Sequence, residues 1–315
     1  MQRRKFLQTS SLGLAGIGLT QIGLSASPSP LLNNRSFKIS LKTDAIGVAG
    51  PVLNLLEPAV ALGFEALAMP SKELIAMSGS LLQDLQLRAA NIGLAWGCDG
   101  LPVEFRLDED RFKADLEELP NHARAMQLVG IDRVGTWIMP CNDERPFAAN
   151  FALHANRLRQ VAAILADHNI RLGLEYVGPR TLRNAKRYAF IDNGQQLKEL
   201  IQAIGQPNVG VILDSFHWYC AEESLADLHI WDKNSIIAVD INDADINLGP
   251  REQFDGNREL PGATGKIDIV GFISFLNLIG YDGPLRAEPF NNTLNAMRDD
   301  LAMQATIDAI NSVIS

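Results

Sequence analysis

Residues 171–179 read RLGLEYVGP, 209–218 read VGVILDSFHW, 236–245 read IIAVDINDAD, and 284–290 read PLRAEPF. Each is a short run rich in Leu, Ile and Val, the length of a buried strand, and each ends on or near an acid: Glu175, Asp214, Asp240 and Glu288. Burying an unpaired carboxylate is costly. Four in succession imply that the acids converge on something that compensates them. A divalent cation at one end of a parallel barrel is the simplest candidate.

Working outward, the same kind of run recurs towards the N-terminus. Residues 37–41, 65–69, 92–96 and 133–139 read as strands, and 172–176, 209–213, 236–241 and 285–288 complete a set of eight. Helical spacing fills the gaps: 51–62, 72–90, 107–128, 148–168, 195–204, 222–228, 267–279 and 294–313. Gly63, Gly130, Gly205 and Gly280 follow helical stretches as closing residues. Eight strand–helix units of about 30–40 residues predict α/β class and one (β/α)8 TIM barrel over residues 36–315. An open doubly wound sheet would carry a Gly-rich phosphate loop after the first strand. The loop at 42–50, KTDAIGVAG, has its glycines at the wrong spacing.

The formal net charge is −9, which argues against a nucleic-acid partner, because phosphate binding needs clustered Lys and Arg. Cys98, Cys141 and Cys220 are widely spaced and imply neither a disulfide framework nor a zinc–thiolate site. Residues 1–28 have another character. Arg3 and Arg4 precede Phe6 and Leu7, an uncharged Gly- and Leu-rich stretch follows, and Ser25-Ala26-Ser27 closes it. This is the layout of a twin-arginine signal peptide. It predicts transient engagement of the twin-arginine export machinery, a periplasmic or otherwise exported product, and no stable membrane anchoring after cleavage.

Strand C-termini build the active sites of such barrels. Strands five to eight are neighbours in the wall, so Glu175, Asp214, Asp240 and Glu288 meet at one point. Hard oxygen donors favour Mg2+ or Mn2+, with Zn2+ or Co2+ preferred if an imidazole joins them. His217 lies three residues past Asp214, in the loop where it reaches the ion or a substrate. Arg258 begins a Gly-rich loop, where it can bind a sugar oxygen or offset the excess of carboxylates. His122, His154, His168 and His229 fall on or beside helical stretches and are assigned to structure or surface. A bound ion polarises a carbonyl and acidifies the neighbouring C–H, one glutamate removes that proton and a second returns one, through an enediolate. Glu175 and Glu288 are the catalytic candidates.

Residues 174–179 (LEYVGP), 213–217 (LDSFH), 257–262 (NRELPG) and 280–284 (GYDGP) leading to Glu288 resemble, in order and spacing, the xylose isomerase-like TIM barrel superfamily. The likeness is to its sugar isomerase/epimerase branch, and within it to the 2-keto-myo-inositol isomerases. The resemblance implies a metal held by Glu, Asp, His and Glu, which map onto Glu175, Asp214, Asp240 and Glu288. It also implies substrate contacts by His217 and Arg258. Asp240 departs from the pattern, since an aspartate stands where the family has an imidazole. The expectation is thus a metal-dependent isomerase or epimerase acting on a small sugar or polyol. A lyase or dehydratase on the same site and a non-catalytic periplasmic sugar-binding protein are the alternatives. An endonuclease IV-like enzyme shares the fold, but it needs a histidine-rich zinc site, and the chain has five histidines and an acidic balance.

Overall fold

The computed structural model describes residues 35–314. The leader expected at residues 1–28 lies outside them. Among the described residues, strands β1 (Lys38–Leu41), β2 (Ala66–Leu67), β3 (Ala95–Trp96), β4 (Asp99–Gly100), β5 (Arg133–Ile138), β6 (Cys141–Asn142), β7 (Arg171–Tyr176), β8 (Tyr188–Ala189), β9 (Val209–Asp214), β10 (Ile236–Ile241) and β11 (Pro284–Ala287) follow in chain order. The helices are α1 (Leu56–Leu62), α2 (Ser71–Leu74), α3 (Gly79–Asn91), α4 (Glu109–Val129), α5 (Phe147–Asp167), α6 (Arg180–Arg183), α7 (Gly194–Ile204), α8 (Ser215–Cys220), α9 (Ile269–Ile279), α10 (Asn292–Asn295) and α11 (Asp299–Ile314).

Nine of these strands make one parallel sheet in the order β3-β2-β1-β11-β10-β9-β7-β5-β4. Its two ends, β3 and β4, are consecutive pieces of one stretch of chain, interrupted only at Gly97 and Cys98. The sheet therefore curls back on itself as the TIM barrel that the alternation predicts. The interruption is the main departure in the strands: β3 pairs with β2 and β4 with β5, so the third stave serves one neighbour with each half.

Helices start and stop where the chain supplies end groups. Asp108, Asn193 and Asp268 accept backbone N–H bonds at the N-termini of α4, α7 and α9. Gly205 and Gly280 close α7 and α9 with φ near +68°, a conformation that costs a side-chain-bearing residue energy. Two expected helices are broken. Residues 51–62 hold a short 3-10 turn followed by α1, and 72–90 divide into α2 and α3. Past the sixth stave, α8 begins at Ser215, earlier than the expected 222–228, because the Asp214 carboxylate caps it by accepting the Phe216 N–H at 2.7 Å.

The outer faces of the strands pack on the helices in a core that includes Leu172, Leu174, Val211, Leu213, Val239 and Leu285, all fully buried. Inside the barrel, Ile212 packs with Cys98 and Ala238. Its side chain fills the space that a Cβ would occupy at Gly173 on the adjacent β7 and at Gly135 on β5 beyond it. That apolar plug is the floor beneath the acidic residues.

Candidate active site

Alternation along a strand sends every second side chain inward. On β9 and β10 it turns Asp214 and Asp240 into the barrel at the same level, and they are register partners. Asp240 is also the register partner of Arg286 on β11, and Glu288 follows two residues later on the same face. Glu175, near the end of β7, completes the group. Glu175, Asp214, Asp240 and Glu288 each offer an oxygen within 4.8 Å of the others, and all four are buried. The acidic cluster expected from the four strand ends is therefore present.

Two buried arginines and a half-buried lysine hold it together. Arg286 donates from Nε and Nη2 to the two oxygens of Asp240, at 2.5 and 3.0 Å, and from Nη1 to the carbonyl of Cys98. Arg258 donates from Nη1 to Asp214 Oδ2 at 2.8 Å and lies 3.6 Å from Glu288 Oε2. It is clamped between the rings of Phe216 and Phe290, and its far edge binds Asp255 at 2.8 Å. Lys42, just past β1, reaches across to Glu288 Oε1 at 2.6 Å. Asn242 links Asp214 to the backbone N–H of Glu288. Glu175 alone of the four acids has a buried oxygen, Oε1, with no hydrogen-bond partner among the described residues.

The acids consequently differ. Burial, reinforced by Glu288, Asp214 and Asp240, raises Glu175 well above the usual carboxylate range. Burial also pushes Asp214 up to about 7 against the pull of Arg258, and raises Asp240 against Arg286. Burial acts on Glu288 too, but Lys42, Arg286 and Arg258 outweigh it and hold the group down to about 2. His217 is pushed down to about 3 by burial and then by Arg258. Its Nε2 lies 3.2 Å from Arg258 Nη2, and a guanidinium only donates, so the imidazole is neutral and accepts there.

Above the cluster opens a cleft of about 390 Å3, within the usual range for a small-molecule site. Lys42, Glu175, Arg258 and Glu288 line it, with the aromatic faces of Trp137 and Phe290. Every residue singled out in the sequence thus reaches one place. Lys42, Arg286, Asn242 and Asp255 were not anticipated. A signal for Arg286 was present: a charge inside an apolar run, spaced by two from Glu288.

A divalent ion tests differently against distance and against charge. The four oxygens are close enough to surround one, and Glu175, Asp214, Asp240 and Glu288 would be its holders. Three of the four already accept hydrogen bonds from Arg286, Arg258 and Lys42. With Asp255 on the far edge of Arg258, the centre holds five carboxylates against three cations. A dication would have to displace or oppose the Arg286 fork on Asp240, Arg258 on Asp214 and Lys42 on Glu288, so this donor set, as paired, does not fit one.

The sequence pattern of the xylose isomerase-like TIM barrel family matches residues 56–311. A 3-dehydroshikimate dehydratase of Pseudomonas putida is 27% identical over 256 residues, 80% of this chain and 38% of that protein. An inosose isomerase of Halalkalibacterium halodurans is 26% identical over 162 residues, 51% of this chain and 54% of that protein. The chain thus spans about half or less of these relatives' lengths. Among solved structures, a xylose isomerase domain protein from Alicyclobacillus acidocaldarius aligns with a TM-score of 0.78 and 31% identity, covering 88% of this chain and 98% of its own.

Proposed function

Since the chain belongs to the xylose isomerase-like TIM barrel family, we propose that it moves a proton at a carbon beside a carbonyl, as an isomerase or epimerase of a small sugar or keto-polyol. One observation carries this reading: two adjacent glutamates with opposed proton affinities, Glu175 raised and Glu288 lowered, border a polar cleft. Groups set apart in this way suit the two halves of a proton shuttle. Glu288, ionised, takes the proton from carbon. Glu175, neutral, returns one to the opposite face, or to the neighbouring carbon, in which case the hydroxyl proton passes to the former carbonyl oxygen as the new carbonyl forms. The substrate passes through an enediolate, whose charge grows on the former carbonyl oxygen.

Lys42 has N–H groups to spare after its bond to Glu288, and it meets that oxygen. As the ammonium turns to the substrate, Glu288 loses part of its stabilisation and becomes a better base. Arg258 and His217 were expected to touch substrate. Most donors of Arg258 are engaged within the protein, so its role is to hold Asp214 and Asp255 in place. No step here runs through a divalent ion.

A second reading is favoured by the likeness to the dehydratase over 80% of this chain. If the carbon next to the enediolate carries a hydroxyl, that bond breaks, the Glu175 proton joins the leaving group as water, and an unsaturated product remains. Incubation with keto-inositols, ketohexoses and 3-dehydroshikimate, followed by NMR of the products, tests both. An isomer or epimer supports the first reading and an unsaturated product the second. No turnover across the panel contradicts both.

A further inference from the structure

We propose that Lys42, Arg258 and Arg286 supply the positive charge of this centre, so that it works without a divalent ion. The inference rests on the proton-transfer reading above and names the groups that neutralise it.

The pairing of Asp240 with Arg286 is built into the barrel wall. The two are register partners on adjacent strands, and both Asp240 oxygens are taken by one guanidinium. A planar fork on a carboxylate is a closed, directional pair. Arg286 is 5% exposed and its third nitrogen, Nη1, is tied to the Cys98 carbonyl, so it has no outward position to retreat to. Glu288 is met by Lys42 and flanked by Arg258. Asp214 is met by Arg258 and by the Phe216 N–H. Each of these three acids therefore has a cation at hydrogen-bonding distance, and a dication would have to displace or oppose all three. Of the three cations, Lys42 retains free donors on the cleft, which places it to polarise a substrate oxygen.

The test is a calorimetric titration of the purified full chain with MnCl2 and MgCl2, with metal content measured in parallel. The expected result is no stoichiometric binding. The paired variant Asp240→His with Arg286→Leu removes the fork and one buried cation, and it should gain a saturable Mn2+ site. One Mn2+ bound per wild-type chain would overturn the proposal, as would solvent exchange lost to a chelator and restored by Mn2+. If the paired variant fails to fold, the wild-type titration decides alone. A chain that exchanges no substrate proton under any condition refutes the proton-transfer reading, while the titration still decides this one.

Discussion

Replacing Arg286 with Met removes the partner of a fully buried carboxylate and keeps most of the side-chain volume. Arg286 and Asp240 are 5% and 0% exposed, and the ionised Glu288 stands beside Asp240 in the cluster. Breaking a buried pair from one side typically costs about 3–5 kcal/mol, because a bare charge stays behind. Asp240 escapes that cost only by taking a proton. At about 1.4 kcal/mol per pH unit, 3–5 kcal/mol lifts its pKa by roughly 2–4 units above its folded wild-type value, which burial has already raised. The sign follows from linkage. The folded variant binds the proton more tightly than the unfolded chain, so its stability is retained below about pH 4 and lost as pH rises through the folded value. Urea unfolding followed by far-UV circular dichroism should show Arg286→Met destabilised by about 3–5 kcal/mol at pH 8 and by less at pH 5. Adding Asp240→Asn should recover most of the loss and flatten the pH dependence. A cost below about 1 kcal/mol at pH 8, as for an exposed pair such as Arg298 with Asp300, would refute the reasoning.

Glu175→Gln should keep the fold, since Oε1 has no hydrogen bond to lose, and should lower turnover by about 10²–10⁴-fold; retained turnover contradicts the role of Glu175. His154 is buried and held down to about 4 by burial, against 6.5 unfolded, so it contributes stability above pH 6.5 that is lost as pH falls towards 4. The stability gap between wild type and His154→Gln should therefore shrink by about 3 kcal/mol over that window, measured by denaturation at each pH. Residues 1–28 fused to a reporter should direct its export in a twin-arginine-competent host, and Arg3→Lys with Arg4→Lys should stop it; export unaffected by both changes contradicts the leader reading.

Much of the fold was legible because its signals are local. Each stave is an apolar run, and Gly205 and Gly280 mark helix ends in their own neighbourhood. The acids were legible because a carboxylate at the end of such a run is anomalous wherever the strand lies. Their partners were not. Lys42 and Glu288 are 246 residues apart and meet only because β1 pairs with β11 as the barrel closes. Arg286 finds Asp240 through strand register, which a single run does not encode. The split of the third stave at Gly97 and Cys98 was likewise hidden, since each half answers to a different neighbour. α8 is only six residues long and too short to show helical spacing, so its start became visible only through the cap at Asp214.

The central claim is that Glu175 and Glu288 exchange a proton with carbon. The most direct measurement is proton NMR of candidate keto-polyols and ketoses incubated with the protein in D2O. Deuterium should enter beside the carbonyl of the accepted substrate with wild type and not with Glu288→Gln, which lacks the base that takes the proton from carbon. Substrate that protects the protein against unfolding but never exchanges its protons would contradict the claim and point to a binding protein.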